Sequence, residues 1–475
     1  MVELRLEKLK TTILFCLVLI SIVLTTRIWL DISIEGIFII PKNNEVTKTE
    51  DPNSHFDEAS LIKPEKLILN NSGKHTLILN DASVGSIYSR ITSDAKDMLK
   101  SILGSKSAIQ YEKHPLEYLN KLRLGRNVEI NFPFSYDAKI LADLLGVRKV
   151  EGNDIKNIDS ILLAFESNTF YIVDKNEGSI YEFKSEGQKS NIKFMADMLN
   201  SNDTHSYIFL NNVDPEKYGQ NVFIPIFITP YKLPKLTATS ETEHETAEKI
   251  AAYFFDVDVS SLRSIVEPTG TIIYTYKAEK GLRIDKNGLV EYVSYSYPAK
   301  LQKQIWTLED AVSIATDFIN SHLGFPKDAY ISSVEPVISD DKFESCIIRY
   351  NYRYEGIPII NNDLGMDNPL EIEIVGGEVK RFKRLVRNIK ETGEMKGIKN
   401  PLDIVDIIYK RLCHDKNVNE EDIMIKDVYL SYFEYSYSGN ISMIPVWVVH
   451  VEAGQKKSGK YFINAESGVI LSEPY

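Results

Sequence analysis

One long stretch of the chain is apolar without interruption, and it lies near the N-terminus. From Thr11 to Thr26 no side chain is charged, and with Lys10 and Arg27 tolerated near its ends the apolar stretch reaches Leu30. About 20 such residues span a bilayer as a helix. The pattern predicts a transmembrane anchor at 11–30, between an N-terminus at 1–10 and a polar juxtamembrane linker at 31–63.

The flanking residues predict how the anchor is oriented and whether it is kept. Arg5, Lys8 and Lys10 precede it, which places the N-terminus in the cytoplasm and the remaining domains outside the cell. A signal peptide would end in small residues such as A-x-A, but the first 50 residues contain no alanine. We therefore predict a single-pass protein of the cell membrane rather than a secreted one.

Beyond the linker, short alternating and helical patterns predict an N-terminal α+β domain at 64–235. "KLILNN" and "HTLILN" are typical of paired strands, and two helical patterns end at Gly104 and Gly146. A hairpin is predicted to turn near Gly178. Three prolines between 225 and 236 indicate a domain boundary.

The second half of the chain repeats a helix followed by a hairpin in three blocks, at 236–303, 304–395 and 396–475. The helices are predicted to begin near Thr242, Thr307 and Asn400, where Thr242/Glu245 and Thr307/Asp310 have capping-box spacing and Pro401 follows Asn400. The hairpins turn at Gly288, Gly377 and Gly468. This predicts an α+β fold of helices on antiparallel sheets.

Tyrosines alternate along two of the predicted strands. "IIRYNYRYEGIP" places Ile348, Tyr350, Tyr352 and Tyr354 on one face, and "VYLSYFEYSY" does the same for Tyr429, Phe433, Tyr435 and Tyr437. The pattern favours rings packed against the block's helix. An exposed tyrosine-rich face for a partner is the alternative.

Charge and cysteine content narrow the classes of function. The net charge is −12 and the one basic cluster is "KRFKRLVR" at 380–387, so polyphosphate is repelled and nucleic-acid binding is not expected. The 3 cysteines are too few for a disulfide scaffold. Cys346 and Cys413 are equally compatible with a disulfide and with two buried thiols.

Catalytic motifs are weak, so we predict no enzyme, no metal site and no cofactor. "HETAE" at His244 has Glu248 where a zinc protease needs its second histidine. Ser93–Lys96, "SGN" at 438–440 and "KSG" at 457–459 follow the order of penicillin-binding signatures. However, a single strand fills the interval between the last two, which leaves no space for a transpeptidase body.

The predicted anchor has one face of small and hydroxylic side chains that suits contact with another membrane helix. Helical spacing aligns Thr11, Leu14, Val18, Ser21 and Thr25. Small residues let helices approach closely in lipid, where packing and hydrogen bonds drive association. Alternatively, the hydroxyls bond to carbonyls of their own helix.

Several of these motifs together resemble the YycH family of Gram-positive bacteria. They are "LKTTILFCLVLISIVLTTRIW", "PEKLILNNSGKHTLIL", "WTLEDAVSIATDFI" and "YEGIPI", in that order. The last block, "IPVWVVHV…GKYFINAESGVIL", is similar to PepSY-like modules and to YycI. The resemblance implies a non-enzymatic accessory protein that associates with a YycI-like membrane protein and with the sensor histidine kinase WalK (YycG), and so modulates cell-wall metabolism.

Two hypotheses for function follow. In the first, the anchor face and the outer domains contact the kinase and its YycI-like partner, and either restrain or promote kinase output. In the second, the outer domains are an extracytoplasmic binding or inhibitory module for a cell-wall hydrolase or protease. A soluble 60–475 fragment would keep its activity under the second hypothesis and lose most of it under the first.

Overall fold

In a computed structural model, the described part of the chain is α+β and consists mostly of strands. The residues described are 58–78, 85–104, 110–147, 154–165, 169–184, 205–210, 213, 222–226, 232–240, 244–295, 307–339, 342–361, 368–414, 418–419, 422–437, 440–453 and 457–473. They all belong to one compact unit, Phe56–Tyr475. The predicted anchor and residues 31–57 of the predicted linker lie outside the described residues. The linker prediction is wrong for residues 58–63, because Leu61 and Ile62 are buried in a hydrophobic core of the compact unit. No described helix is both long enough and apolar enough to cross a membrane.

Six α-helices are described, and local sequence explains where three of them begin. Asp137 Oδ1 accepts hydrogen bonds from the amides of Lys139 (2.8 Å) and Ile140 (3.2 Å). Thr307 and Asp310 form the predicted capping box, and Asn400 accepts from the Leu402 amide with Pro401 at the first helical position. The helices are α1 (Gly85–Leu103), α2 (Tyr118–Arg123), α3 (Ala138–Leu144), α4 (His244–Phe255), α5 (Leu308–His322) and α6 (Pro401–Cys413), and short 3₁₀ turns lie at Glu58–Leu61 and Val259–Ser261.

The first sheet has nine antiparallel strands and contains the predicted "KLILNN"/"HTLILN" pair and the hairpin at Gly178. Its strands are β1 (Lys66–Asn71), β2 (Lys74–Ile78), β3 (Tyr111–Pro115), β4 (Arg126–Asp137), β5 (Asn157–Ala164), β6 (Thr169–Asp174), β7 (Ser179–Lys184), β8 (His205–Phe209) and β9 (Phe223–Ile226). Their order is β3-β7-β6-β5-β4-β1-β2-β8-β9.

A second sheet of eight strands combines distant parts of the chain. It consists of β10 (Lys232–Thr239), β17 (Arg353–Tyr354), β18 (Ile357–Asn361), β21 (Asn388–Gly397), β22 (Met424–Tyr437), β23 (Asn440–Glu452), β24 (Gly459–Asn464) and β25 (Ile470–Ser472). The β18–β22 pairing is parallel. Strand β10, in the proline-rich segment, pairs with both β21 and β23.

The third sheet has eight strands: β11 (Arg263–Val266), β12 (Ile272–Tyr276), β13 (Lys280–Ile284), β14 (Leu289–Ser294), β15 (Tyr330–Ser339), β16 (Lys342–Asn351), β19 (Leu370–Val375) and β20 (Glu378–Leu385). Their order is β11-β12-β13-β14-β20-β19-β16-β15. The β14–β20 pairing joins strands from the predicted blocks 236–303 and 304–395. The predicted turns at Gly288 and Gly377 lie in this sheet, and both glycines have positive φ. The block boundaries themselves stay a prediction.

The two largest hydrophobic cores of the described residues each combine distant parts of the chain. The larger contains Ile91 of α1 and Leu141 of α3 together with Ala251 of α4 and Ala315 of α5, so helices from the first and third sheets share it. The smaller lies under α6 and includes the fully buried Trp447. Its indole nitrogen donates to the Lys399 carbonyl at 3.0 Å, just before α6 begins.

The predicted packing of the first tyrosine strand against the block's helix is confirmed for Tyr350, which shares the larger core with α5. Tyr352 packs instead in a separate cluster formed by strands of the second sheet. Tyr350 and Tyr352 are buried, although the strand bends between them, so that Tyr350 belongs to the third sheet and Tyr354 to the second. Cys346 is a buried free thiol in the same strand, β16.

Candidate functional site

A cleft lies where the chain passes from the third sheet into the second. The passage happens twice, between β16 and β17 at Tyr352 and between β20 and β21 at Val386–Arg387. Both crossings line one cavity of about 800 Å³. The cavity is lined by Lys63, Pro326, Lys327, Asp328, Tyr352, Arg353, Tyr354, Glu355, Arg384, Leu385, Val386, Arg387, Asn388 and Ile389.

The lining of this crossing cleft is basic, in a chain that is acidic overall. Five lysine or arginine side chains face two carboxylates, those of Asp328 and Glu355. The Lys63 ammonium lies 2.7 Å from Asp328 Oδ1, so one carboxylate is already paired. A surplus of positive charge next to a low-dielectric wall attracts anions.

Arg387 forms a buried ion pair that joins the two sheets at the cleft. Its Nη2 lies 2.6 Å from Glu434 Oε1 on β22, and both side chains are at most 2% exposed. Arg387 also donates to the carbonyls of Asn287 and Val386, next to the β13–β14 turn. The pair therefore fixes three chain segments to one another.

Arg353 begins β17, directly after the passage at Tyr352, and its guanidinium lies over an aromatic ring. Its guanidinium carbon is 4.2 Å from the centre of the Tyr330 ring. Burial by itself lowers the pKa of Arg353, but Tyr330, Tyr88, Asp328 and Glu65 outweigh it, and the pKa lies above its ordinary value. The charge of Arg353 is thus compensated by its surroundings.

Arg384 has no such compensation. It is 9% exposed, and its Nη1 donates to the carbonyl of Gly324, just past the C-terminus of α5. Burial lowers the pKa of Arg384 to about 10, with a small opposing effect of Tyr352. Within the described part of the chain, neither Arg384 Nε nor the Tyr352 hydroxyl has a hydrogen-bond partner.

The arrangement is suited to recognition rather than to bond cleavage. The buried polar groups of the wall are guanidinium and phenol groups, which donate hydrogen bonds and hold positive charge. Such groups bind carboxylates and phosphates.

The residues predicted from the sequence as a partner-helix face are not part of this cleft. Thr11, Leu14, Val18, Ser21 and Thr25 lie outside the described residues. The cleft was missed because "KRFKRLVR" was interpreted only as a basic strand. Its alternation carries the missing signal: Phe382 and Arg384 are two residues apart on β20, and both are buried.

The motifs that resemble catalytic sites have ordinary structural environments. Lys96 donates to the Ala59 carbonyl at 2.6 Å, and Ser93 is exposed on α1. His244 and Glu248 lie on α4. Of these two side chains, the structure describes only that of Glu248.

One group of three possible metal ligands occurs among the described residues: Glu112, His114 and Glu182, at the β3–β7 pairing. His114 Nε2 lies 2.9 Å from Glu182 Oε2. Lys184 already lies 3.3 Å from Glu112 and 3.8 Å from Glu182, so an ammonium occupies the place of a cation.

Comparison with known proteins finds a similar fold for most of the chain and a family match for residues 317–466. Residues 317–466 match the family model described as YycI protein. The crystal structure of YycH from Bacillus subtilis aligns with a TM-score of 0.53 and 12% identity over 84% of this chain and 98% of that one. An uncharacterized protein from Eubacterium rectale aligns at 0.38 and 13% identity, covering 56% of this chain and 93% of that one. No curated protein sequence matches.

These findings confirm the resemblance predicted from the sequence. The chain has the YycH fold, and residues 317–466 match the YycI family model. The matched range contains every residue that lines the crossing cleft except Lys63.

Proposed function

We propose that this YycH/YycI-family chain is a membrane-anchored accessory regulator of a sensor histidine kinase of the WalK (YycG) type. The observation that carries the proposal is the combination of the YycH fold with a YycI-family region in one chain. YycH and YycI proteins are accessory regulators of this kinase system and not enzymes, so the proposed role needs no catalytic residue.

The proposed mechanism is a change in kinase output through contact. A coupling free energy of about 1–3 kcal/mol changes an equilibrium 5- to 150-fold, and a few packed side chains contribute that much. We assign one contact to the anchor face of Thr11, Leu14, Val18, Ser21 and Thr25, packed in the membrane against the kinase or a YycI-like helix. The outer domains supply the second contact and fix the position of the anchor.

A set of chromosomal variants tests this role through a reporter of WalK-type kinase output. The first variant replaces residues 11–26 with leucine throughout. Its matched control carries leucine at the same positions except Thr11, Val18, Ser21 and Thr25, so the two anchors differ only in the proposed face. Membrane fractionation shows whether both proteins are inserted equally.

We expect output to shift several-fold from wild type in the polyleucine strain and to stay at the wild-type level in the control. Equal, wild-type output in both strains would refute the role of the anchor face. A secreted 60–475 fragment that restores full regulation to a deletion strain would favour the alternative, an extracytoplasmic binding or inhibitory module for a cell-wall hydrolase or protease. Unchanged output in the deletion strain would refute kinase regulation altogether.

A further inference from the structure

We propose that the crossing cleft is a binding site for a small ligand that carries a carboxylate or phosphate group, held by Arg384 with the Tyr352 hydroxyl beside it. The inference rests on the cleft alone and is independent of the proposed regulation of a kinase.

Arg384 differs from the other arginines of the cleft in that its positive charge is not compensated. Two other cations of the lining have carboxylate partners, Arg387 with Glu434 at 2.6 Å and Lys63 with Asp328 at 2.7 Å. Arg353 stacks on Tyr330 near acidic groups. Among the described residues no carboxylate lies within ion-pair distance of Arg384. The C-terminal end of α5 offers it only a partial negative charge, of about half an elementary charge.

The cleft wall also contains buried hydrogen-bond donors that have no acceptor among the described residues. Leaving a buried donor without an acceptor is unfavourable, so native structures seldom do so without a functional reason. Four such donors belong to residues that line the cleft: Arg384 Nε, Tyr352 Oη, and Nε and Nη2 of Arg353. Arg384 and Tyr352 are close enough for each to affect the pKa of the other. An oxyanion accepts several hydrogen bonds and brings the missing negative charge, so it satisfies both needs.

The volume and the lining of the cleft suit a small organic ligand. A volume of about 800 Å³ lies in the range of small-molecule sites, about 300–1,000 Å³. The lining also contains four apolar residues, Pro326, Leu385, Val386 and Ile389. The expected ligand therefore combines an anionic head with an apolar part, rather than being an inorganic ion alone.

The test uses the purified full chain and two probes, inorganic phosphate and acetate, titrated at constant ionic strength with chloride as the balancing anion. The thermal unfolding midpoint is the readout, because a ligand that binds only the folded state raises it. A response to phosphate alone assigns the head group as phosphate, and a response to acetate alone assigns it as carboxylate. A response to both supports the shared oxyanion site.

Tyr352→Phe and Tyr350→Phe form a matched pair of variants. Each removes one buried hydroxyl that lacks a partner, two residues apart, but only Tyr352 lines the cleft. Neither should lower the midpoint in chloride, because no described hydrogen bond is lost. We expect Tyr352→Phe to need about tenfold more probe for the same shift. Tyr350→Phe should respond as the wild type does.

Arg384→Met provides the stronger perturbation and should abolish the response. If that variant does not fold, the comparison of Tyr352→Phe with Tyr350→Phe decides whether the cleft binds the probe. An unchanged response in Tyr352→Phe or in a folded Arg384→Met would overturn the proposal. The absence of any response to either probe in the wild-type chain would overturn it as well.

Discussion

At the residue scale, the Arg387–Glu434 pair is the contact on which the joint between the second and third sheets most depends. The two side chains are 2% and 1% exposed, so neither charge can recover hydration if its partner is removed. Breaking a buried pair from one side leaves an uncompensated charge, which costs about 3–5 kcal/mol.

We expect Glu434→Gln to lower the free energy of unfolding by about that amount in urea titrations. The matched control is Glu112→Gln, because Glu112 also contacts a basic side chain but both partners are more than half exposed. Exposed pairs contribute little, so the midpoint of the control should not move. The expectation fails if both variants unfold at the same urea concentration.

Gly288 is the second residue whose identity the joint requires. Its φ is +90°, and a Cβ there would lie 2.6 Å from the Val386 carbonyl and 2.7 Å from Arg387 Nη1. Gly178 has φ of +65° in an equally tight hairpin, but nothing lies within 4 Å of its Cβ position. Alanine variants at these two positions therefore distinguish the cost of a left-handed backbone from the cost of steric overlap.

Gly178→Ala should cost about 1 kcal/mol from the left-handed backbone alone. Gly288→Ala should cost clearly more, because a backbone carbonyl has to move as well. Chemical denaturation of the two variants measures the difference. Equal losses would mean that the turn can shift without disturbing Arg387.

Sequence reasoning located the turn glycines but not the partners of Arg387. The turns at Gly178, Gly288, Gly377 and Gly468 could be predicted because turn chemistry is local. The Arg387–Glu434 contact joins the segment between β20 and β21 to β22, and no local pattern relates these two residues. Alternation along β20 marks Arg384 as buried, but the position of the cleft beside the Arg387–Glu434 contact could not be predicted from one sequence.

At the element scale, helix starts could be predicted because they depend on local contacts, whereas strand pairing could not because it depends on long-range contacts. The caps at Thr307 and Asn400 were predicted, and both are present, because each is a contact within one turn. The parallel β18–β22 pairing and the position of β10 between β21 and β23 were not predicted. Alternation indicates a strand and its faces, but it does not specify a distant neighbour.

The last turn of α5 makes the stability of the fold depend on pH. His322 stacks on Phe318 with ring centres 3.9 Å apart, and its Nδ1 lies 2.6 Å from the Phe318 carbonyl. Burial lowers the pKa of His322 below its ordinary 6.5, and the hydrogen bond to Phe318 opposes this only in part. The unfolded chain therefore takes up a proton at a higher pH than the folded chain does.

Stability from His322 is complete above pH 6.5 and is lost as the pH falls below that value, towards the lowered pKa of the folded state. We expect His322→Gln to show a smaller loss of unfolding free energy between pH 7.5 and 5 than the wild type. Burial lowers the pKa of His75 in the same direction, so part of the loss remains in the variant. Parallel pH profiles for the two proteins would contradict the assignment.

At the scale of the whole molecule, the sheets are bound together by shared cores more than by the chain that links them. Ile91 and Leu141 from the region 64–235 belong to the same hydrophobic cluster as Ala251 and Ala315 from the region beyond it. On the other side, Ile224 of β9 packs in the cluster under α6. Cutting the chain at the predicted boundary would expose apolar surface on both pieces.

Fragments 64–235 and 236–475, produced separately, test whether that boundary separates independent domains. Because each loses part of both cores, we expect each to lack a cooperative thermal transition and to be cleaved rapidly by protease. A fragment of residues 56–475, which contains the whole compact unit, should unfold in a single transition. If 64–235 instead unfolds cooperatively by itself at the temperature of the longer fragment, the shared core contributes little. The N-terminal region would then be a domain in the thermodynamic sense as well as in the pattern of the sequence.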